Sequence, residues 1–461
     1  MGYAIHVKFV TILRREVRGL AKERTRTFAG GIHPAYHKDR TAGQPIELAT
    51  VPDLLVFPLS QHIGAPCQPL VGVGDRVLMG QKIGESDQPI SAPVHASVSG
   101  KVVAVENRPN PCGQPVLSVV VENDRKDERI APFAKPRPWS ELTSDEIIGI
   151  VREAGIVGLG GAAFPTHYKL SAARNSTLEA VLLNGAECEP YLTCDHRVML
   201  EQAADVVEGL RIILKAVGVV RGYIGVEENK PDAIAALEQA IADDSNIQVV
   251  PLAVKYPQGQ EMMLVKAILG REIPPGKLPC NVGAMVSNVG TAAAISAAVR
   301  SCRPLTERVV TVTGSLVKQP KNLLTRIGTP FQLLLDQCGL TEQPAKVIQG
   351  GPMMGITQST TDVPVVKGVA GVLVLSEAET TPLLPSPCIR CARCIDVCPL
   401  RLQPVFLAQF AERGMMDRAE ALNVMDCREC GSCSFICPSR RPLLQNIRLA
   451  KNEIAARRKK G

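Results

Sequence analysis

Eight of the fifteen cysteines fall between Cys388 and Cys437, in two runs that read CIRCARCIDVCP and CRECGSCSFICP. Both follow C-x2-C-x2-C-x3-C-P. A cubane iron–sulfur cluster needs four thiolates arriving from different directions. Two x2 spacings wrap three of them around one face, and the fourth comes from elsewhere. In two-cluster ferredoxins the fourth cysteine of each run serves the other cluster. The expected sets are therefore Cys388, Cys391 and Cys394 with Cys437, and Cys427, Cys430 and Cys433 with Cys398, each holding one [4Fe–4S] cluster. Pro399 and Pro438 turn the chain away from each cluster. Structural zinc takes four ligands in paired spacings and fits two triplet-plus-one runs poorly. The other seven cysteines show no ligand spacing and read as small buried hydrophobes.

A second constellation is GIVGLGGAAFPTHYKL, residues 155–170. Gly158, Gly160 and Ala163 have the spacing of a dinucleotide-binding fingerprint, which must follow a strand and open a helix. Here the preceding SDEIIGIVREAG is helical in pattern, capped by Thr143 or Ser144, with Ile147, Ile148 and Val151 on one face. Pro165 comes two residues after Ala163. The context is wrong for a Rossmann turn. A loop rich in glycine still exposes backbone N–H groups to a phosphate, and Lys169 adds a charge.

The elements that must position these residues alternate. After the loop come strand-like LEAVLLN, a helix over 198–217, strand GYIGVE, helix PDAIAALEQAIA, strand IQVVPLAV and helix GQEMMLVKAIL. That order predicts an α/β layer with a parallel sheet. Before it, DLLVFPLSQ, DRVLMGQKIGE, APVHASVSGKVVAVE and QPVLSVVVEN read as a small all-β unit resembling a lipoyl or biotinyl sandwich. The modifiable lysine of such units is missing at the hairpin tip, where His95 reads as a turn histidine. Residues 303–354 read hairpin, helix, strand, as in a β-grasp module. The expected boundaries are an arm over 1–43 with a basic, helical start, the sandwich over 44–130, the α/β domain over 140–302, the β-grasp module over 303–360, the cluster module over 361–450 and a basic tail over 451–461.

The 461 residues carry a net charge of +7, and Pro438–Gly461 alone holds eight basic residues against Glu453. Such a segment suits an acidic partner, an anionic membrane surface or plain solvation. Aromatics are 3% of the chain, too few to interleave with basic patches for nucleic-acid binding. No apolar stretch reaches membrane-spanning length and no export signal is seen, so cysteines here read as metal ligands before disulfides.

GLGGAAFPTHYKL followed by LLNGAECEPYLTCDHRVM resembles the flavin- and NADH-binding subunit of respiratory complex I. With the arm FAGGIHPAYHK, the lipoyl-like unit and the double cluster motif, the resemblance is to the C subunits of Rnf ion-translocating ferredoxin:NAD oxidoreductase complexes, over nearly the whole chain. It implies a multidomain α/β and β protein: a lipoyl-like sandwich, a Rossmann-like FMN domain, a β-grasp (SLBB) module and a helical two-cluster ferredoxin domain. Gly158, Gly160, Gly161 and Lys169 would hold the FMN phosphate and ribityl chain, and Asn184, Glu187 and Cys188 would border the flavin. Phe164 and Glu189 would face NADH. YPQGQEMM would place Tyr256, Gly259 and Glu261 near the flavin, and VSNVGTAAAI would place Ser287, Asn288 and Thr291 at the phosphate end. Leu159, Ala163 and Ala186 stand where the complex I pattern has arginine, glycine and aspartate.

The resemblance further implies a peripheral subunit on the cytoplasmic face of the bacterial inner membrane. Its cofactors would be FMN, NADH or NAD, and two [4Fe–4S] clusters. Its partners would be a ferredoxin-like B subunit and membrane subunits. Two other readings share parts of the pattern: a cobalamin reductase of diol-utilisation microcompartments, and a flavin-free iron–sulfur scaffold. The arm and the lipoyl-like unit favour the Rnf reading.

Overall fold

The structure, a computed structural model, describes residues 25–242, 244–381 and 384–460; the expected helical start before residue 25 lies outside them. The strand-like runs form β1 (Ala180–Gly185), β2 (Arg221–Glu227) and β3 (Ile247–Leu252), and AMVSN adds β4 (Ala284–Asn288). All pair in parallel, in the order β3-β2-β1-β4. The helices between and around them are α1 (Ser144–Glu153), α2 (Thr166–Arg174), α3 (Cys194–Glu201), α4 (Ala203–Val217), α5 (Pro231–Ile241), α6 (Glu261–Leu269) and α7 (Val289–Ser301).

Both faces of this sheet are covered, which is why its strands read as unbroken apolar runs. Val181 and Leu183 of β1 meet the large core shared by α1, α4, α5 and α7, while Ala180 and Leu182 meet Leu264 and Val265 of α6. The strand order reverses beside β1, whose neighbours are β2 and β4. In open α/β sheets the crevice at the carboxyl ends of such strands is where ligands bind. Asn184 and Asn288 stand side by side there, in register. The single helix expected over 198–217 is two helices that meet at Gln202, because the first starts early, at Cys194, and α4 must turn to lay Val206, Val207 and Leu210 into the core.

The β unit before it has a four-stranded and a three-stranded antiparallel sheet. Its tip, Val94–His95, is buried against the α/β domain. Lys367 fixes it there, donating to the carbonyls of Pro93 at 2.6 Å and Gly155 at 2.7 Å. Burial pulls the Lys367 ammonium down to about 8. A tip pinned in this way is not a swinging arm.

The third sheet has six strands. β5 (Glu307–Gly314) and β6 (Lys321–Arg326) form the hairpin, α8 (Phe331–Gln337) follows, and β7 (Lys346–Gln349), β8 (Ile356–Gln358) and β9 (Gly371–Leu375) complete it. β9 lies between β5 and β7 and buries Val372 and Val374 in this module's core. The expected boundary at 360 is therefore too early. Ile46–Leu48, just after the arm, adds an edge strand to β6.

The described part of the cysteine module is all helical, with α9 (Pro404–Glu412), α10 (Met416–Ala421) and α11 (Leu443–Lys460) as its longest elements. Ile447, Ala450 and Ile454 of α11 pack on Leu407, Ala411 and Met416. The expected basic tail is thus the end of a packed helix. Its charges face acids of its own module: Arg448 and Lys451 meet Glu429, Arg457 meets Asp417, and Arg458 meets Glu420. Among the described residues no helix is long and apolar enough to cross a membrane.

Candidate functional site

The glycine loop connects two helices, with no strand before it. Its neck is closed by Gly158 N–H donating to the Phe164 carbonyl at 2.9 Å and Ala163 N–H donating to the Gly158 carbonyl at 3.1 Å. Gly160 and Gly161 are exposed at the tip, and Ala163 takes a left-handed φ of 50°. Leu159 N–H donates to Thr291 Oγ1 at 2.9 Å, so the tip rests on the first turn of α7. Asn288 caps that helix, accepting from Thr291 N–H at 3.2 Å, with buried Ser287 before it in β4. The glycine tip and the N–H groups of the first turn of α7 that Asn288 leaves free lie together, an arrangement suited to an anion. A Cβ on Gly160 would lie 3.3 Å from the Asn288 side chain, crowding that arrangement. Lys169, one turn into α2, pairs with Glu261 at 2.5 Å, and Phe164 meets Tyr168 edge-on at 6.0 Å.

One strand over, Asn184 donates to the Gly259 carbonyl at 2.7 Å, and Gly259 N–H donates to Cys188 Sγ at 3.2 Å. Burial, then the nearby Glu227 carboxylate, pushes the Cys188 thiol up to about 12, so it stays neutral. The two glutamates are both engaged by N–H groups. Glu187 turns its carboxylate inward, where Oε1 accepts from Asp195 N–H at 2.7 Å and caps α3. Glu189 Oε1 accepts from the N–H groups of Met353 at 2.6 Å and Met354 at 3.0 Å, tying the α/β domain to the β-grasp module. Each carboxylate is buried and satisfied by N–H groups, as a buried carboxylate must be.

Tyr256 is 1% exposed and carries the contact that joins the two halves of the site. Its hydroxyl donates to the Cys430 carbonyl at 2.8 Å. Its backbone exchanges hydrogen bonds with Ile32 of the arm at 2.8 and 2.9 Å, and Gly31 N–H next door donates to the Val397 carbonyl at 2.8 Å. Cys188, Tyr256 and Ile32 form one apolar contact group with Val397, Cys430 and Ile436.

The two cysteine runs adopt the same backbone path. Left-handed φ recurs at Arg390 and Glu429, at Ala392 and Gly431, and at Arg401 and Arg440. Backbone N–H groups of Arg390, Leu402 and Glu429 point at the sulfurs of Cys388, Cys398 and Cys427 at 3.3–3.4 Å, as anionic sulfurs require. Cys398, Cys427, Cys430 and Cys433 line one cavity. Cys394 lies close to Cys388 and Cys437. Among the described residues no three ligands converge on a single ion point.

Sequence reading missed the arm's role and Asp195. Lys38 of the arm donates to the carbonyls of Glu187 at 2.5 Å and Leu192 at 2.7 Å, holding the turn between β1 and α3. No local pattern marks this contact. Asp195 accepts from the Asn288 amide at 2.6 Å. Burial first, and the Glu187 carboxylate second, push the Asp195 carboxyl up to about 7. A raised carboxyl pKa stabilises the fold in its protonated form, fully below the unfolded value of about 3.9 and no longer above the folded one. Relative to Asp195→Asn, the unsubstituted chain should lose stability as pH rises from about 4 to about 7, by on the order of 4 kcal/mol. Parallel melting-temperature curves for the two proteins would reject that shift.

A doubly wound sheet with an anion-suited loop at its switch point, joined through one tyrosine to a pair of four-cysteine sites, defines a cofactor-bearing electron-transfer protein. Four family models match in order: RnfC barrel sandwich hybrid domain over 26–126, Nuo51 FMN-binding domain over 151–297, SLBB domain over 309–357 and 4Fe-4S dicluster domain over 383–438. The C subunit of the Na(+)-translocating ferredoxin:NAD(+) oxidoreductase complex of Acetobacterium woodii is 52% identical, over 94% of this chain and 98% of its own length. The proton-translocating counterpart from Clostridium ljungdahlii is 47% identical over 93% of this chain and 94% of its own. The C subunit of the ion-translocating oxidoreductase complex of Rhodobacter capsulatus is 41% identical over 93% and 83%. The chain belongs to this RnfC family of oxidoreductase-complex subunits. A chain of an NAD+-reducing [NiFe]-hydrogenase superposes with TM-score 0.51 at 16% identity, over 70% of this chain and 65% of that one, and shares the fold.

Proposed function

We propose that the chain is the peripheral subunit through which a ferredoxin:NAD oxidoreductase complex exchanges electrons with NADH. FMN, when bound, exchanges a hydride with the nicotinamide and single electrons with the clusters. The protein's part is to bind, orient and insulate. The glycine tip, Asn288, Thr291 and Lys169 hold the phosphate end, and Asn184, Cys188 and Gly259 hold the ring end. Phe164 supplies an aromatic edge toward the nicotinamide. No side chain is assigned a bond-making step. The modules read as a lipoyl-like sandwich, an FMN domain, a β-grasp unit extended to Leu375 and a helical two-cluster ferredoxin-like unit.

The observation that carries this reading is the Tyr256–Cys430 hydrogen bond. It supports a flavin ring end lying against the Cys430 loop, which would make the set Cys427, Cys430, Cys433 and Cys398 the near one. The other set includes exposed Cys391 and lies among exposed Ile389, Phe435, Arg390, Arg393 and Arg440. An apolar centre with a basic rim suits an acidic electron carrier, here the ferredoxin-like B subunit, with docking on the cytoplasmic face of a membrane-bound assembly.

Cofactor analysis with absorbance spectra before and after NADH tests the reading. Bleaching of both flavin and cluster bands is expected; iron and sulfide without flavin would reject it. Lys169→Gln separates binding from folding. Its ion pair with Glu261 is partly exposed, so the melting temperature should barely move, while FMN affinity should fall about tenfold with loss of a charge-assisted contact. Unchanged affinity would remove Lys169 from the site.

A further inference from the structure

The N-terminal arm brings one more polar group to the same crevice. Tyr36 is fixed by its own carbonyl, which accepts from Tyr191 N–H at 2.7 Å, and by neighbouring Lys38, anchored on Glu187 and Leu192. Its phenol oxygen is buried and has no hydrogen-bond partner among the described residues. The phenol is close to Glu227, the last residue of β2, and to Cys188; burial mainly, and these two neighbours after it, raise its pKa above the ordinary value. It is therefore a neutral donor without an acceptor.

Gln258 is in the same condition. It is fully buried, and neither atom of its amide has a partner among the described residues. It directly precedes Gly259, whose N–H donates to Cys188. One orphaned phenol thus lies close to the thiol, and the orphaned amide belongs to the residue next to the one whose N–H binds it. Buried hydroxyls and amides in folded proteins nearly always find partners, so these two orphans point to a ligand that supplies them.

The sheet says which part of the ligand. Asn288, Asn184 and the end of β2 occupy three adjacent strands, a row about 10 Å wide at strand spacing. The glycine tip is at the Asn288 end, and Tyr36 is at the Glu227 end. Resting on the FMN reading above, we infer that Tyr36 and Gln258 hydrogen-bond the heteroatom edge of the flavin ring, and that the N-terminal arm is a wall of the flavin pocket. Tyr36 donates to a ring carbonyl or ring nitrogen. Gln258, with one donor and one acceptor, matches the adjoining carbonyl and N–H of the ring edge.

The test titrates the FMN-free full chain with FMN, following flavin fluorescence and the visible band, for the unsubstituted chain, Tyr36→Phe and Gln258→Met. Melting temperatures are taken without and with FMN. Tyr36→Phe should bind FMN about five- to tenfold more weakly, the loss expected for one neutral hydrogen bond, with a shifted visible band. Its FMN-free melting temperature should equal or exceed that of the unsubstituted chain, because the group removed has no partner there. Gln258→Met should move affinity in the same direction. Unchanged affinity and band in both variants would overturn the inference while leaving the FMN reading intact, since ordered water would then serve these groups. A lower FMN-free melting temperature for Tyr36→Phe, with unchanged affinity, would overturn it too, by showing that the hydroxyl is bonded within the fold. Failure of the unsubstituted chain to bind FMN would overturn both.

Discussion

A Cys430→Ala chain should still let NADH bleach the flavin band, yet deliver no electrons to the far cluster. Cys391→Ala should do the opposite, leaving the near cluster reducible and cutting only the exit. The asymmetry follows from where the two sites lie. Cys430 belongs to the loop that receives the Tyr256 hydroxyl and shares an apolar contact group with Cys188, whereas Cys391 is exposed. Each set loses one of four thiolates, so the local chemical damage is equal and only position differs. Iron content establishes that one cluster remains in each variant. Electron paramagnetic resonance after NADH then reports which one is reduced. Reduction of the far cluster in Cys430→Ala would reverse the proposed order. Tyr256→Phe is the milder form of the same test: both clusters assemble, and reduction of the near one slows.

Gly31→Ala should uncouple the modules without touching a cofactor residue. Gly31 has φ +81°, and a Cβ there would lie 2.7 Å from the Tyr256 carbonyl oxygen and 2.8 Å from Lys255 Cε. An L-residue in the left-handed region costs roughly 1–2 kcal/mol before any clash. The backbone carbonyl cannot swing away, because it accepts from Ile32 N–H at 2.8 Å. A total loss of about 2–4 kcal/mol is expected, and it falls on the arm, which must peel away from Tyr256 or from Val397. FMN affinity measures the first outcome and NADH-driven cluster reduction the second; at least one should drop tenfold or more. A variant with unchanged stability, affinity and transfer would show that the arm is dispensable.

The chemistry-bearing parts were legible because they are local. Four cysteines in twelve residues, or four glycines before Pro165, carry their purpose in their spacing. The parallel sheet was legible too, since a strand covered on both faces is apolar throughout. What escaped notice joins distant segments. Nothing near Gly31 announces Val397, and nothing near Glu189 announces Met353. The same blindness put a module boundary at 360: β9 reads as any short apolar run until β5 and β7 pair with it. It also left the basic end of the chain without partners, because Asp417, Glu420 and Glu429 become neighbours of α11 only after the helices fold back. The partners of Glu187 and Glu189 were equally out of sight, since they depend on which N–H groups surround a buried carboxylate.

The proposed crossed ligation of the clusters and the observed reach of the arm both join segments far apart in the sequence. The cluster begun by Cys388 waits for Cys437, and the arm, among the first segments made, finds Val397 only when most of the chain has been synthesised. Neither can settle early. On the proposed ligation, a chain cut just before Cys437 would keep the set Cys398, Cys427, Cys430 and Cys433 and the arm's contacts at Val397 and Tyr256, and would lack only the fourth thiolate of the other set.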